Sequence, residues 1–433
     1  MTVGFLVLAV FLILQLWLGI KKAFFLFVVY YFLDYGLIMV RGLTYKDFLL
    51  AYYLLYGLVY FRKRKPDYPL KVVTLLTIGI YILSDFFNGF KKPTSFIITM
   101  FDYFALPFVI YLYIRSLRDV LFLVRCLLFL FGIVCIYSFI EQLLGYSPVV
   151  SYINIVNDDK FGVLDDSFRW GIKSTQAFFI HATTCGYFCV TSLAFILLFQ
   201  KKIINYISIG NYQYWTLVFL LTITTFLSGS RASIAALFLL FVMFILFSYK
   251  NIQNKLKTLL LVFILFVIFY LLFEKYLGEV LSSILYSNES DVGSSKDMRI
   301  GQYLVALSYW QKNPLIGNGS GTTGMLIGSG SDLFGAESVW IGLLIDYGVV
   351  GIIIYLYSYY SCYKLIKDKI SGLLFMGIFL FVNTMTSVPG IYMSYIFMYV
   401  VVLRNLDYHI NAFELKKRRK GYERIGIDNY SML

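Results

Sequence analysis

The hydrophobic and polar positions of this chain alternate on the scale of whole helices. Apolar runs of roughly 17 to 23 residues recur along the chain, and that is the length a helix needs to cross a bilayer core. The runs are continuous in Leu, Ile, Phe, Val and Tyr, without the residue-by-residue alternation of a membrane-spanning strand. The pattern predicts an all-α integral membrane protein with about 12–13 transmembrane helices.

The predicted helices belong to a single polytopic membrane domain that covers residues 1–433. The first three spans are closely spaced, and one of them is equally well explained as an interfacial or re-entrant helix. The first apolar stretch has no signal-peptide cleavage pattern, so we expect it to remain in the protein. The thirteen predicted spans cover residues 3–19, 23–40, 46–61, 70–88, 94–114, 119–140, 176–199, 213–228, 231–248, 258–273, 338–361, 371–388 and 391–405.

Two long polar loops interrupt these spans. The smaller loop covers residues 141–175 and the larger one residues 274–337. Within the larger loop, residues 299–313 place their apolar side chains at helical spacing, which predicts a short amphipathic helix at the membrane interface. Pro314 ends this helix. Residues 406–433 form a basic tail.

The charged residues predict the orientation of the chain in the membrane. Only 14% of the residues are charged, and the formal net charge is +13. Nucleic-acid binding is a poor explanation for this charge, because the basic residues cluster in short loops and at the C-terminus, as in cytoplasmic loops of membrane proteins. The clusters that fall on one predicted side, the cytoplasmic one, are Arg62 to Lys65, Arg115 with Arg118, Lys201 with Lys202, Lys250 to Lys257, Lys364 to Lys369, and Lys416 to Lys420.

This orientation predicts that both long loops lie outside the cytoplasmic membrane and that the C-terminal tail lies in the cytoplasm. Lys91 with Lys92 and Arg41 with Lys46 fall on the opposite side from the other clusters. The N-terminus is not oriented by this argument. The short turn at Ser228-Gly-Ser-Arg231 is also expected outside, together with the two loops.

That turn interrupts a nearly continuous apolar stretch from Trp215 to Phe247. Gly229 allows the chain to turn, and the neighbouring serines can satisfy backbone groups that the break leaves exposed. Arg231 then stands at the mouth of two helices. An arginine beside a membrane span is costly and indicates function by default, and its planar fork suits a pyrophosphate. The alternative is an interfacial arginine that extends to the lipid head groups.

A glycine-rich stretch, Gly317-Asn-Gly-Ser-Gly321, follows the predicted amphipathic helix. Its backbone amides could approach an anionic or sugar ligand, so Asn313, Gly317 and Gly319 are predicted loop contacts with substrate. No strand precedes the stretch and no lysine follows its last glycine, which excludes a nucleotide-phosphate loop. The alternative is a flexible connector.

Four other charged or titratable residues on the predicted outer side are candidates for the site. Glu337 stands at the start of the span that begins at 338, where it is either a general base or an acid that complements the helix dipole. Arg169 and Lys173 are four residues apart just before a span and could contact a phosphate. His181 follows them, and a packed histidine explains it as well as a substrate contact does.

Three motifs now occur in a defined order along the chain. The first is the Ser228–Arg231 turn, the second is Arg299 followed by Trp310-Gln-Lys-Asn-Pro-Leu-Ile-Gly-Asn-Gly319, and the third is Asp346-Tyr-Gly-Val-Val-Gly351 in the next span. This order resembles the O-antigen polymerase and ligase superfamily, which includes the Wzy-type polymerases of bacterial surface polysaccharides. The resemblance covers residues 170 to 390. The first third of the chain is similar only as a row of apolar helices.

The resemblance implies a membrane glycosyltransferase that works at the outer face of the cytoplasmic membrane. Its donor would be a glycan on a polyprenyl pyrophosphate, its acceptor a lipid-linked repeat unit, and neither a cofactor nor a metal is implied. Arg231 and Arg299 match the family's arginine positions, so they are predicted catalytic and pyrophosphate-binding residues, with Arg169 and Lys173 as further phosphate contacts. Besides membrane lipids, a flippase and a chain-length regulator of the same pathway are implied partners.

Ligases of this superfamily carry a histidine at the start of the span after the large loop, where this chain has Glu337. The departure favours a polymerase of capsule, exopolysaccharide or O-antigen and makes Glu337 as the base a hypothesis. The alternatives are an O-antigen ligase-type transferase and a flippase for lipid-linked oligosaccharides. Flippases often show internal repeats, and none is evident in this sequence. A non-catalytic scaffold would leave the arginines unexplained.

Overall fold

The computed structural model describes most of the chain and leaves several segments out. The described residues are 2–34, 38–40, 43–61, 68–89, 101–156, 168–169, 172–179, 181–207, 209–248, 253, 296–328, 333, 338–385 and 389–424. Glu337 and the predicted span at 258–273 are among the predicted features that lie outside these residues.

The chain is an all-α integral membrane protein. A short π-helical stretch, Phe101–Ala105, leads directly into the fifth helix. The helices of the first half are α1 (Thr2–Leu18), α2 (Ile20–Leu33), α3 (Tyr45–Phe61), α4 (Lys71–Asn88), α5 (Leu106–Tyr113), α6 (Leu117–Leu144), α7 (Pro148–Val156), α8 (Ala182–Leu198) and α9 (Gln200–Ile207).

The second half contains seven further helices in the described ranges. Those helices are α10 (Asn211–Leu227), α11 (Arg231–Ser248), α12 (Lys296–Trp310), α13 (Thr322–Gly328), α14 (Val339–Leu365), α15 (Lys369–Thr384) and α16 (Pro389–Arg424). Helix α12 lies where the sequence predicts an amphipathic helix. Gly348 bends α14, because its φ of 61° and ψ of −158° are not helical.

Two small antiparallel hairpins are the β-structure of the described residues. Strands β1 (Ile38–Val40) and β2 (Leu43–Thr44) separate α2 from α3. This hairpin explains why α2 ends at Leu33, although its apolar composition predicts a helix to residue 40. Strands β3 (Phe168–Arg169) and β4 (Ile172–Lys173) lie in the predicted smaller loop.

Length and composition identify several membrane-spanning helices within the described ranges. Three helices, α4, α6 and α14, are long and apolar enough to cross a membrane, and α8 with α9 would be a fourth span bent by 74°. Four shorter apolar helices accompany them. Large apolar side chains point outwards from the bundle, among them Leu16, Trp17 and Leu143, each at least 80% exposed, as expected of lipid-facing positions. The predicted total of twelve or thirteen spans stays a prediction.

Helix α8 lies at the centre of the bundle and is buried around nearly its whole circumference. A helix that is hydrophobic on all sides must be enclosed by others, and α10, α11 and α15 pack around it. Two ring contacts give its direction relative to α15, since Tyr187 in the first half of α8 meets Phe379, and Phe199 at the end of α8 meets Phe375 earlier in α15. The two helices therefore run antiparallel.

We call the end of the bundle where α10 finishes at Leu227 and α11 begins at Arg231 the turn end. Helix α6 finishes there, since its last turn contacts the same segment as Leu227. Helix α8 begins there beside Ser228 and Ser233. Helix α15 also finishes there, and the indole of Trp340 in the first turn of α14 donates to Thr384 Oγ1 at 3.1 Å. The serine turn and the start of α8 therefore lie at the same end of the bundle.

Candidate functional site

The turn between α10 and α11 is closed by its own serines. Gly229 has a φ of 63°, a conformation that glycine adopts at no steric cost. The Ser228 hydroxyl donates to the Thr225 carbonyl at 2.7 Å, and the Ser233 hydroxyl donates to Ser230 Oγ at 3.0 Å. All three serine side chains are fully buried. The serines thus satisfy backbone and hydroxyl groups that the break would otherwise leave unpaired in an apolar surrounding.

Helix α8 packs against this turn through Gly186. A Cβ atom at this position would overlap Ser228 Oγ and approach Ser233 Oγ to 2.9 Å. Small residues allow helix backbones in membranes to approach closely. The close approach fixes the turn against the central helix and leaves it little freedom to move.

Arg231 is the first residue of α11 and is half-buried. The amide groups at a helix N-terminus carry partial positive charge, which adds to the charge of the guanidinium group. A rigid turn therefore presents a cation and a helix N-terminus at the same point, an arrangement that favours an anionic phosphate. The binding role of Arg231 stays a prediction.

A second segment, residues 173–177, packs against the same turn. The Thr175 N–H donates to the Leu227 carbonyl at 2.9 Å, which joins the segment to the last residue of α10. Gln142 Nε2 donates to the Lys173 carbonyl. The Lys173 side chain is buried and interacts electrostatically with Glu141 of α6. Lys173 is thus placed beside the turn that carries Arg231.

The hairpin of β3 and β4 brings Arg169 close to this segment along the chain. Arg169 pairs with Ile172, and Phe168 pairs with Lys173. His181 caps the start of α8 without a side-chain hydrogen bond to the helix, and partial burial lowers the pKa of its imidazole. The roles of Arg169, Lys173 and His181 toward a substrate stay predictions.

Arg299 reaches the turn end from another direction. It is exposed in the first turn of α12, and its Nη1 approaches the sulfur of Met385 at 3.8 Å. Met385 caps the end of α15, and α15 packs against α11, whose first residue is Arg231. Arg299 thus contacts the residue that caps α15, a helix that packs against the one that begins with Arg231.

The glycine-rich stretch is a packed junction. Asn88 Nδ2 of α4 donates to the Gly317 carbonyl at 3.0 Å, and the Ser84 hydroxyl donates to the Asp346 carbonyl of α14 at 2.8 Å. Asn313 Nδ2 donates to Asn88 Oδ1 at 3.2 Å. These bonds join α4, the stretch and the bend of α14. They give Asn313 and the glycines a packing role, while their contact with substrate stays a prediction.

Two buried carboxylates hold the same junction from either side. Asp346 accepts from the N–H and the hydroxyl of Thr323, both at 2.8 Å, and from the Gly321 N–H at 3.2 Å. Asp85 accepts from the Ser320 N–H at 2.6 Å. Buried carboxylates require such donors, and here the donors are backbone and hydroxyl groups of the junction itself. The third motif of the sequence, around Asp346, is therefore part of this junction.

Sequence reasoning missed two groups of residues here. One group is Ser84, Asp85 and Asn88, in a part of the chain that the resemblance does not cover. Three polar residues at the end of an apolar span are nevertheless a signal of polar contacts with another part of the chain. The sequence places Glu141 at the start of the smaller loop, but it lies in the last turn of α6 and is fully buried. An acid within a membrane-spanning helix indicates function by default, and that signal was present.

No three His, Cys, Asp or Glu side chains come together as a metal site within the described ranges, and the expectation of a metal-free reaction stays a prediction. Residues 216–356 match the family model described as O-antigen ligase, which is consistent with the O-antigen polymerase and ligase superfamily. The matched segment contains the serine turn, Arg299, the glycine-rich stretch and Asp346. No curated protein matches the chain.

Proposed function

From that superfamily match, we propose that the chain polymerises a bacterial surface polysaccharide. The donor is a glycan on a polyprenyl pyrophosphate and the acceptor is a lipid-linked repeat unit. The reaction takes place at the outer face of the cytoplasmic membrane, where the turn end faces outwards. The observation that carries the proposal is the closed turn that holds Arg231 at a helix N-terminus, with the segment 173–177 bonded to the residue before the turn.

The reaction breaks the bond between the anomeric carbon and the pyrophosphate oxygen. An acceptor hydroxyl attacks the anomeric carbon, its proton passes to a base, and the lipid pyrophosphate leaves with the bonding electrons. Negative charge grows on the leaving oxygen in the transition state, and donors that are already in place stabilise it without reorganisation. Arg231 and the N-terminus of α11 are donors of this kind, Arg299 covers the group from α12, and buried Lys173 adds positive charge from the neighbouring segment.

The ligase is the second candidate, since the matched family model is described as O-antigen ligase. Both reactions need the same donor and the same stabilisation of the leaving pyrophosphate. They differ in the acceptor, which is another lipid-linked unit in the polymerase. Glu337, where the ligases of the superfamily carry a histidine, favours the polymerase.

A strain that lacks this chain separates the candidates by the length and location of its glycan. We expect the long chains to disappear while single lipid-linked repeat units remain, because only the extension step is lost. Long chains that accumulate on the lipid carrier without attachment would identify a ligase instead. Lipid intermediates that accumulate on the cytoplasmic side would identify a flippase and contradict both transferases.

Substitution of Glu337 by Gln tests the proposed base. Removal of a general base lowers rates by about a hundredfold or more, so we expect chain extension in the complemented strain to fall by that amount. Glu289→Gln, in the same predicted loop, is the matched control and should extend chains normally. If Glu337→Gln leaves the rate unchanged, Glu337 complements the dipole of α14 and the base is another residue.

A further inference from the structure

We propose that Glu141 is a positioning residue that holds the segment 173–177 in a strained conformation against the turn carrying Arg231. The inference rests on the proposed function, because it assigns a device that places Lys173 and the turn for phosphate binding. Glu141 lies outside the segment that matches the family model and outside all residues that the sequence singles out.

The carboxylate of Glu141 binds two successive backbone amides. Its Oε2 atom accepts from the N–H of Gln176 and from the N–H of Ala177, both at 3.0 Å. Successive N–H groups that converge in this way form a concave site for an anion. Here the anion is a side chain of the protein, fully buried in the last turn of α6.

The bound segment contains a strained residue. Ala177 has a φ of 49°, and it is the one non-glycine residue with a positive φ among the described residues. A side chain with a Cβ atom disfavours this conformation. Such strain persists only where the surroundings impose it, and it concentrates at functional sites. Ala177 is the second residue of a turn that the Phe179 N–H closes on the Gln176 carbonyl at 2.9 Å, and the Ala177 N–H fastens this turn to Glu141.

The strained segment bridges α6 and the turn. Gln142 holds its beginning at the Lys173 carbonyl, and Glu141 holds its end. Between these two anchors the Thr175 N–H donates to Leu227, the residue before the serine turn. Because Lys173 and the support of the turn both belong to this short segment, a shift of its end would move Lys173 and weaken the contact with Leu227 together.

A double-mutant cycle between positions 141 and 177 tests the proposal. Glu141→Ala removes the acceptor, and we expect at least a tenfold loss of chain extension in the complemented strain and a lower Tm of the purified full-length protein. Ala177→Gly removes the strain, because glycine adopts a positive φ at no steric cost. Combined with Glu141→Ala, it should restore at least half of the lost extension, since the turn then needs less support.

Two controls separate this coupling from a general loss of packing. Ala182→Gly, at the buried start of α8 with an ordinary φ, should not rescue Glu141→Ala. Glu141→Gln keeps a carbonyl oxygen that can accept both amide hydrogens, so it should extend chains within about threefold of the wild type. If Glu141→Gln is as impaired as Glu141→Ala, the negative charge of Glu141 beside Lys173 matters and the two hydrogen bonds to the backbone amides do not. The proposal is then overturned.

The two measurements distinguish failure of this inference from failure of the proposed function. The double-mutant cycle can be measured by Tm on the purified variants, without an assay of chain extension. The coupling between Glu141 and Ala177 is therefore measured even if the deletion strain makes normal glycan. Additive Tm changes would show that the carboxylate does not hold the strained residue. Coupled Tm changes without rescue of extension, in a strain whose long chains depend on the protein, would make the contact structural only.

Discussion

Arg231→Ala should abolish chain extension while the protein still inserts into the membrane at normal levels. Arg231 stands at the N-terminus of α11, in a turn that is closed by its serines and packed against Gly186. We expect these contacts to keep the turn folded when the guanidinium group is removed. The leaving pyrophosphate loses a pre-placed donor, which costs about a hundredfold or more in rate. Glycan length in the complemented deletion strain measures the effect.

Arg231→Lys separates charge from shape. A lysine keeps the positive charge but replaces the planar fork by a single point charge, so we expect a loss of roughly tenfold, as for one charge-assisted hydrogen bond. Arg125→Ala is the matched control. Arg125 lies in the apolar helix α6 and donates to the Ile207 carbonyl of α9, away from the turn. Glycan of normal length from Arg231→Ala would exclude Arg231 from the site.

The spans and the serine turn were predictable because both depend on local sequence. A long apolar run specifies a membrane helix wherever it occurs, and a glycine flanked by serines specifies a break with its own hydrogen-bonding groups. Helices α1, α3, α4 and α11 accordingly begin and end within one or two residues of the prediction. The arginine at the end of the break followed from the same local pattern.

The parts of the site that escaped prediction depend on contacts between distant residues. Ser84 and Asn88 meet the glycine junction across more than 200 residues of sequence. Glu141 meets Gln176 across 35 residues and a predicted loop. No periodicity or spacing indicates such pairs, because a polar residue at the end of an apolar helix can face water, lipid head groups or another part of the chain. Tertiary packing decides among these.

The glycine-rich stretch shows this difference most clearly. As a sequence it suggests either a ligand loop or a flexible connector. In the fold it fills the space between α4 and the bend of α14. Gly348 at the bend also has no room for a side chain. A Cβ atom at Gly348 would lie 2.7 Å from the carbonyl oxygens of Pro314 and Leu315. The backbones of the stretch and of α14 are in direct contact here. Gly317 and Gly348 are therefore required for packing, whether or not the stretch contacts substrate.

Gly317→Ala should therefore prevent the protein from folding stably. The Cβ atom would overlap the backbone of Asp346, and the φ of 73° is unfavourable for alanine. Backbone strain and overpacking each cost about 1–3 kcal/mol, a large share of the stability of a typical domain. We expect a sharp drop in the yield and Tm of the full-length protein purified in detergent, with loss of long glycan as a consequence.

Gly324→Ala is the matched control for this substitution. Gly324 lies in α13, seven residues further along, and a Cβ atom there would have no neighbour within 4 Å. Alanine in a helix is favoured over glycine by about 0.5–1 kcal/mol, so this variant should be as stable as the wild type or slightly more so. If Gly317→Ala is purified with the yield and Tm of Gly324→Ala and yet makes no long glycan, the stretch contacts the substrate and is not required for packing. Because the two substitutions add the same methyl group, any difference in stability between them must come from the junction with α14.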